Sequence, residues 1–305
     1  MVETPLSVEL FGLRLDTPLL PAAGTLAAEA LTEREAAATY GALLPKTVTL
    51  EPRDGNPLPR LAETACGMVN SIGLQNPGVE AFLRELSAFD VGLPIFVSVA
   101  GDTPRDFAAL CERLDADDRV LAVELNLSCP NVEHGGALAG ATFCSSPGSV
   151  EAVVAACRKS MPGKPMIAKL ASEGAVPNAF AAEAAGADAL TVSNTAQAMT
   201  VDAWQRKIIV RGGLSGPAIK PIALRAVYEV ASVVESPVIG CGGIASGEDV
   251  AEFMLAGASA VQVGSVSFTR RPAGILEQFR DYLSETGLAA GELTGLLSSG
   301  KGRGR

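Results

Sequence analysis

Residues 166–193 read MIAKLASEGAVPNAFAAEAAGADALTVS, and this stretch decides the fold class. It opens with the apolar run Met166–Leu170, continues through a helical pattern at Asn178–Ala185, and closes with a second apolar run at Ala187–Ser193. Neither run alternates with polar residues, which is typical of parallel strands covered by helices. The small residues at 185–187 suit the end of a helix and the start of a strand. The stretch therefore predicts a strand–helix–strand unit.

The same alternation covers the rest of the chain, and no linker or change in composition divides it. Eight such units predict a (β/α)8 barrel, with residues 1–305 forming one domain, whereas an open doubly wound sheet is the competing architecture. We expect the hairpin at Leu6–Leu19, which turns at Gly12, to cap the amino-terminal end of the barrel. The predicted strands are Leu19–Ala23, Leu43–Leu50, Pro94–Ala100, Val120–Leu127, Met166–Leu170, Ala187–Ser193, Pro237–Gly240 and Ala260–Gly264. The clearest predicted helices are Val79–Phe89, Pro104–Leu114, Ser149–Ser160, Asn178–Ala185, Pro221–Val234 and Gly247–Ala256.

The composition excludes several classes of partner. The chain carries 34 acidic against 24 basic residues, a net charge of −10, which argues against a nucleic-acid or anionic-membrane surface. The chain contains no run of 18 apolar residues, so no membrane-spanning helix is predicted. The amino terminus lacks the pattern of a secretory signal. The six cysteines have no metal-ligand spacing and the chain has one histidine, so no metal site is predicted. These features together predict a cytoplasmic protein.

Polar residues and glycines collect at the carboxyl ends of the predicted strands, where a barrel carries its active site. Lys46 and Lys169 both lie in apolar strands, where a buried charge is costly. A negatively charged or strongly polar ligand would explain both. The residues at these strand ends are Lys46, Thr47, Asn126, Lys169, Ser193, Asn194, Thr195, Gly242, Gly243, Gly264 and Ser265.

The hexapeptide Asn126-Leu127-Ser128-Cys129-Pro130-Asn131 follows the fourth predicted strand and places one thiol between two carboxamides. A carboxamide both donates and accepts hydrogen bonds, so Asn126 and Asn131 suit a flat, amide-bearing ligand. The thiol of Cys129 can act as a base or nucleophile once it is partly ionised. The hexapeptide therefore predicts an enzyme site.

The glycine cluster Gly240–Ala245 matches the loose dinucleotide pattern Gly-x-Gly-x-x-Ala. A Rossmann unit would place an acidic residue at the end of the next strand, and Ala260–Ser265 contains none. We expect instead that the glycines after the seventh and eighth strands hold a phosphate through backbone N–H groups, although simple tight turns remain an alternative. Gly212–Pro217 predicts a further ligand-facing loop, and we expect the lone Trp204 to pack within a long loop.

Taken together, these motifs resemble the class 1 dihydroorotate dehydrogenases, flavoprotein barrels that oxidise dihydroorotate to orotate in pyrimidine biosynthesis. The resemblance covers nearly the whole chain. The motif His134-Gly135-Gly136 resembles that of the 1B subclass. In this subclass an FMN barrel subunit passes electrons to NAD through a partner that carries FAD and an iron–sulfur cluster. The motifs that carry the resemblance are Lys46-Thr47, Arg53–Arg60, Asn70–Pro77, Asn126–Asn131, Gly213–Lys220 and Gly240–Gly243.

The resemblance implies a role for each matching residue. Cys129 would take a proton from dihydroorotate while a hydride passes to FMN, and Lys169 would stabilise the negative charge of the reduced flavin. Lys46 would contact both flavin and substrate carboxylate. The implied substrate-binding residues are Lys46, Asn70, Ser71, Ile72, Gly73, Leu74, Asn126, Asn131, Asn194 and Thr195. The implied FMN-binding residues are Ala23, Lys46, Thr47, Ser98, Asn126, Lys169, Ser193, Gly216, Gly242, Gly243, Gly264 and Ser265.

The resemblance also implies partners and leaves alternatives open. It implies a homodimer, or a heterotetramer with a FAD/iron–sulfur subunit. This chain has no cysteine cluster for an iron–sulfur centre, so any such centre would lie on the separate subunit. Two flavin positions depart from the family pattern, with Ala23 where serine is usual and Ser98 where asparagine is common. The alternatives are a flavin barrel acting on another dihydropyrimidine and a non-catalytic paralogue without flavin.

Overall fold

A computed structural model describes residues 5–25, 38–89, 91–128, 133–134, 137–138 and 143–299. Its strands are β1 (Val8–Leu10), β2 (Leu13–Leu15), β3 (Leu19–Pro21), β4 (Leu61–Thr64), β5 (Gly67–Asn70), β6 (Ile95–Val99), β7 (Val120–Asn126), β8 (Glu133–His134), β9 (Ala137–Leu138), β10 (Met166–Leu170), β11 (Ala189–Val192), β12 (Ala196–Asp202), β13 (Lys207–Ser215), β14 (Val238–Cys241) and β15 (Ala258–Val263). Its α-helices are α1 (Val79–Glu85), α2 (Pro104–Asp115), α3 (Pro147–Ser160), α4 (Ala175–Ala184), α5 (Lys220–Ala231), α6 (Gly247–Leu255), α7 (Pro272–Thr286), α8 (Ala290–Leu293) and α9 (Leu296–Ser299). Short 3-10 helices lie at Leu86–Phe89, Phe143–Ser145, Pro217–Ile219 and Ser265–Phe268.

The centre of the fold is a parallel sheet of seven strands in the order β3-β15-β14-β11-β10-β7-β6. The segment between β3 and β6 closes it, because Leu43 and Val48 form parallel bridges to Ile95 and Val99 of β6. On the other side, the N–H of Gly41 donates to the carbonyl of Leu19 in β3, at 2.9 Å. The predicted (β/α)8 barrel is therefore confirmed, and the open doubly wound sheet is excluded.

The second barrel segment is less regular than the predicted strand Leu43–Leu50. It pairs with β6 only at isolated bridges rather than along a continuous ladder. Pro45 lies between the two bridging residues, and proline has no N–H to donate to a ladder. The other seven predicted strands match β3, β6, β7, β10, β11, β14 and β15 to within three residues at each end.

Helices α2 and α6 each combine a buried apolar face with a side-chain cap. In α2 the side chain of Thr103 accepts from the N–H of Asp106, whose carboxylate accepts from the N–H of Thr103, which forms a capping box. The buried face of α2 contains Phe107, Leu110 and Cys111. In α6 the cap is Ser246, whose hydroxyl accepts from the N–H of Asp249 at 3.2 Å. All six of the clearest predicted helices are present.

The N-terminal hairpin lies where the sequence predicts it. Strands β1 and β2 pair antiparallel around a turn at Phe11 and Gly12. The ring of Phe11 packs on the ring of Phe96, at the start of β6, with centroids 5.7 Å apart. Since β6 begins at the amino-terminal end of the barrel, the hairpin covers that end. None of the helices in the described part of the chain has both the length and the apolar character that a membrane-spanning helix requires.

A four-stranded antiparallel sheet of order β12-β13-β5-β4 was not predicted. It corrects one expectation, because the glycine-rich stretch Gly212–Pro217, predicted to form a loop, lies largely in β13. The key contact pairs Gly213 with Asn70, residues far apart in the chain. The sheet extends from the end of β11, so it lies beside the carboxyl ends of the barrel strands.

The expectation that Trp204 packs is wrong. Trp204 lies in the turn between β12 and β13, and 95% of its surface is exposed. The turn is held by Asp202, whose carboxylate accepts from the N–H groups of Trp204 and Gln205, each at 2.9 Å. The turn therefore depends on an aspartate cap and not on burial of the indole.

Candidate active site

A cleft of about 1150 Å³, including its open mouth, lies at the carboxyl ends of the barrel strands. This is the end at which barrel enzymes carry their active sites. Its lining combines apolar side chains with a few convergent polar groups, which is typical of small-molecule sites. The predicted site residues that line it are Ala23, Lys46, Thr47, Asn70, Ile72, Gly73, Leu74, Asn126, Lys169, Asn194, Thr195, Gly216, Gly242, Gly243, Gly264 and Ser265.

Three predicted site residues, Ser71, Ser98 and Ser193, are not among the residues that line the cleft. The hydroxyl of Ser98 is buried in the middle of β6, 3.0 Å from the hydroxyl of Thr47. Ser193 donates to the carbonyl of Cys241 at 3.1 Å, and Ser71 accepts from the side-chain amide of Asn56 at 2.8 Å. Ser98 and Ser193 thus support two lining residues, Thr47 and Cys241, whereas the partner of Ser71 does not line the cleft. Cys129 and Asn131 lie outside the described residues.

The asparagine side chains are held by contacts within the chain. Asn194 donates to Oδ1 of Asn126 at 3.2 Å and to the hydroxyl of Ser128 at 3.0 Å. Its own Oδ1 accepts from the N–H of Thr195 at 2.8 Å. Asn70, on β5, donates to the carbonyl of Gly213 at 3.2 Å. The carboxamides thus reach the cleft in orientations that the protein sets.

Lys169 reaches the cleft from β10 and is anchored below by two polar side chains. Its ammonium donates to Oε1 of Gln262 at 2.6 Å and lies 3.6 Å from Oε1 of Glu124. The sequence analysis missed Glu124 and Gln262. The signal that identified Lys169, a polar residue within an apolar strand, would have found both.

The glycine loop after β14 approaches the start of α5 closely. Gly243 has a φ of +80°, and a Cβ added there would lie 2.7 Å from the backbone N of Lys220. The second loop begins after β15, where Gly264 precedes the 3-10 helix Ser265–Phe268. Barrels that bind phosphate commonly use the loops after strands seven and eight and a short extra helix. The two loops therefore form a suitable phosphate cradle.

An ion-pair cluster supports the first of these loops. Lys220 donates to Asp249 at 2.7 Å and to Glu252 at 2.8 Å, and these hydrogen bonds raise the pKa of Lys220. The other oxygen of Asp249 accepts from the N–H of Ala245 at 2.7 Å. Burial alone would raise the pKa of Asp249, but the bonds from Lys220 and Ala245 outweigh burial and lower it. The carboxylate thus ties the glycine loop to two helices.

Several lining residues escaped the sequence analysis because nothing in their type marks them. Leu61 and Phe268 are half-exposed at the cleft and give it apolar walls. Cys241 is buried beside Lys169, and burial raises the pKa of its thiol, so it is unsuited to act as a base at neutral pH. The other missed lining residues are Ala22, Gly24, Thr25, Met68, Ser215, Ile219 and Ile244. Among the residues described, no cluster of three or more His, Cys, Asp or Glu could hold a metal ion.

Comparison with known proteins gives consistent matches along the chain. Residues 5–284 match the family model described as dihydroorotate dehydrogenase. A protein from Trichlorobacter lovleyi is 45% identical over 294 residues, with 93% of this chain and 95% of that protein covered. A protein from Geobacter sulfurreducens is 44% identical over 299 residues, with coverages of 95% and 96%. Both relatives are named dihydroorotate dehydrogenase B (NAD(+)), catalytic subunit.

The fold also matches a solved structure. The crystal structure of DHODH from Eimeria tenella, in complex with ferulenol, aligns with a TM-score of 0.80. The match covers 99% of this chain and 90% of that chain, at 23% sequence identity. At this identity the likeness supports the barrel fold alone.

Proposed function

We propose that this chain, which belongs to the dihydroorotate dehydrogenase family, oxidises dihydroorotate to orotate in pyrimidine biosynthesis. The observation that carries the proposal is a single cleft at the carboxyl ends of the barrel strands. It combines two lysines and two glycine loops with the asparagines Asn70, Asn126 and Asn194. The reaction removes a proton from C5 and a hydride from C6 and forms the C5–C6 double bond. The cleft must therefore bind a planar amide ring, hold a hydride acceptor and supply a base.

The cleft residues fit FMN as the hydride acceptor. The loops at Gly242-Gly243 and Gly264-Ser265 would hold its phosphate through backbone N–H groups. Lys169 would stand against the part of the flavin that becomes negative, because its ammonium is already fixed by Gln262 and Glu124. When bound, FMN supplies the two-electron chemistry, which protein side chains cannot provide.

The substrate fits the remaining polar groups. Lys46 would pair with the carboxylate of dihydroorotate, and Asn70, Asn126 and Asn194 would match the donors and acceptors of its ring amides. Because Asn194 is already bonded to Asn126 and Ser128, these carboxamides need little reorganisation on binding. Asn131, outside the described residues, would complete the set.

Cys129 would take the C5 proton. It lies outside the described residues, but its neighbour Ser128 is buried and accepts a hydrogen bond from Asn194. Cys129 therefore directly follows a residue that is held beside the carboxamides of Asn126 and Asn194, which would bind the substrate. A thiol with a pKa near neutrality is an effective general base, and nearby hydrogen-bond donors favour its thiolate form.

The names of the two relatives imply an electron-transfer partner, since each is called the catalytic subunit of an enzyme that uses NAD(+). We propose that this chain likewise passes its electrons to a separate subunit carrying FAD and an iron–sulfur cluster, within a heterotetramer built on a homodimer. The cytoplasmic location and the single-domain organisation of residues 1–305 remain predictions. Gentle co-purification from the native source tests the partner, and recovery of the chain without any second flavoprotein would count against it.

Product analysis tests the reaction itself. FMN-loaded protein is supplied with dihydroorotate or dihydrouracil and an artificial electron acceptor, and the pyrimidine products are separated. We expect orotate to form and uracil to form far more slowly, because dihydrouracil lacks the carboxylate that Lys46 would bind. A Lys46→Gln variant should lose most of that discrimination. Preferential turnover of dihydrouracil would instead support the alternative of another dihydropyrimidine, and a protein that never retains FMN would support the flavin-free paralogue.

A further inference from the structure

The barrel interior beneath Lys169 is polar rather than apolar. Glu124 on β7, Thr191 on β11 and Gln262 on β15 point into the barrel from alternate strands and are at most 1% exposed. Alternate strands contribute one layer of side chains in this fold, and branched apolar residues usually fill such layers. A layer with a carboxylate, an amide and a hydroxyl is costly unless its polar groups satisfy one another.

Glu124 sets the orientation of this layer. Its Oε2 accepts from the hydroxyl of Thr191 at 2.9 Å and from the side-chain amide of Gln262. Because the NH₂ group of Gln262 faces a carboxylate, the carbonyl of Gln262 must face away from it. That carbonyl accepts from the ammonium of Lys169 at 2.6 Å. The carboxylate therefore positions Lys169 through the amide of Gln262.

Glu124 also acts on Lys169 directly. Its second oxygen, Oε1, is buried without a hydrogen-bond partner among the described residues and lies 3.6 Å from the Lys169 ammonium. At this depth the pair is weakly screened, so each charge strongly affects the other. A buried carboxylate with an unsatisfied oxygen makes the free energy of unfolding smaller than a well-packed apolar residue at the same position would. A function for the charge explains why it is there.

We propose that Glu124 is a positioning residue that holds the Lys169 ammonium and tunes the reduction potential of the bound flavin. This inference rests on the proposed function, because it assumes that FMN occupies the cleft above Lys169. While the flavin is neutral, Glu124 balances the buried ammonium. A flavin that gained negative charge on reduction would share Lys169 with Glu124, so the carboxylate would make reduction less favourable.

The test is the midpoint potential of the FMN-loaded protein, measured anaerobically by equilibration with a reference dye and without any pyrimidine. Glu124→Gln keeps the size of the side chain and removes its charge. We expect the ratio of reduced to oxidised flavin at a fixed potential to rise at least tenfold, which is about 30 mV in the positive direction for a two-electron couple. Glu124→Asp, which draws the carboxylate back from Lys169, should shift the potential in the same direction by a smaller amount.

Thr191→Val is the matched control, because it removes a hydrogen bond to Glu124 and leaves the buried charges unchanged. We expect its reduced-to-oxidised ratio to stay within threefold of the wild-type value. The inference is overturned if Glu124→Gln leaves the potential unchanged, or if Thr191→Val shifts it equally. If Glu124→Gln does not fold, Glu124→Asp decides, and an unchanged potential there overturns the inference.

A second readout, independent of turnover, is the dissociation constant of FMN from the apoprotein, measured by quenching of flavin fluorescence. We expect oxidised FMN to bind Glu124→Gln within tenfold of its wild-type affinity, because the charge acts mainly on the reduced form. A wild-type protein that binds no FMN would defeat the proposed function, whereas unchanged potentials in flavin-loaded variants would defeat only the role of Glu124.

Discussion

The side-chain amide of Asn194 lies 3.2 Å from Oδ1 of Asn126, so the carboxyl ends of β11 and β7 are joined across the cleft. The second hydrogen of that amide is directed at the hydroxyl of Ser128, 3.0 Å away. Both hydrogens of the amide are thus committed within the chain. Asn194, a residue of the cleft lining, therefore also sets the orientation of Asn126.

The first prediction concerns this pair. Asn194→Asp replaces the donor group by an acceptor that faces Oδ1 of Asn126. We expect the affinity for orotate to fall at least about tenfold, or ~1.4 kcal/mol, because repulsion between a carboxylate and the amide oxygen of Asn126 replaces a hydrogen bond. Calorimetric titration of the FMN-loaded protein with orotate measures it. The matched control is Gln205→Glu, the same amide-to-acid change at an exposed turn, which should leave the affinity unchanged. Equal affinities in both variants would remove Asn194 from the substrate site.

The second prediction concerns the glycine loop. Gly243→Ala would place a Cβ 2.7 Å from the backbone N of Lys220, at a φ of +80° that side chains rarely adopt. We expect a loss of about 1–3 kcal/mol in the free energy of unfolding and a clear weakening of FMN binding. Denaturant melts and flavin fluorescence measure the two effects.

Gly274→Ala serves as the control for that substitution. Gly274 lies in the first turn of α7, and a Cβ added there would meet nothing within 4 Å. The same chemical change should therefore be neutral or slightly stabilising, since alanine favours a helix. Equal stability and equal FMN affinity in Gly243→Ala and Gly274→Ala would contradict the close approach of Gly243 to the backbone of Lys220.

The third prediction concerns pH. The folded state lowers the pKa of Asp249, so its ionic contribution is present above the unfolded value of 3.8 and is lost as the pH falls through the folded pKa. The pKa of Lys220 is raised above 10.5, so its contribution is complete below that pH and is lost as the pH rises through the folded pKa. Between these limits we expect Asp249→Asn to lower the free energy of unfolding by about 1–3 kcal/mol.

Urea melts across the pH range test this expectation. The difference between the wild type and Asp249→Asn should shrink in acid as the wild-type carboxylate becomes protonated. Asp281→Asn, the same change on the exposed face of α7, should show little effect at any pH. A difference for Asp249→Asn that did not change with pH would mean that the carboxylate charge does not hold the loop.

The fourth prediction concerns Cys129. An alcohol is a far weaker acid than a thiol, so Cys129→Ser should slow the reduction of bound FMN by dihydroorotate at least about 100-fold at neutral pH. Rapid-mixing absorbance measures this step under anaerobic conditions. Cys66→Ser, at an exposed cysteine, is the matched control and should reduce at the wild-type rate. Unchanged kinetics in Cys129→Ser would remove the thiol from the role of base.

The barrel could be predicted because each strand carries its signal locally. Met166–Leu170 is apolar except for Lys169, and the observed strand has the same ends. The segment around Pro45 is irregular because the ladder loses one donor there. Strands β12 and β13 were missed because their faces are half-exposed, which blurs the alternation, and because β13 pairs with β5 far back in the chain.

The cleft could be predicted wherever a residue type stands out at a strand end, as Lys46 and Asn194 do. Glu124 and Gln262 also stand out within apolar strands, but their pairing into one layer could not be predicted. Glu124 and Gln262 are separated by 138 positions, and their pairing follows from barrel closure rather than from local sequence. The hydroxyl of Ser98, which is predicted to lie near the flavin, is 3.0 Å from the hydroxyl of Thr47, a contact that no spacing in the sequence indicates.

The most direct measurement is an anaerobic titration of the FMN-loaded protein with dihydroorotate, followed by the visible absorbance of the flavin. The account predicts that the flavin band bleaches and that one orotate forms for each FMN reduced. A flavin that stays bound and oxidised in excess dihydroorotate would contradict the proposed reaction.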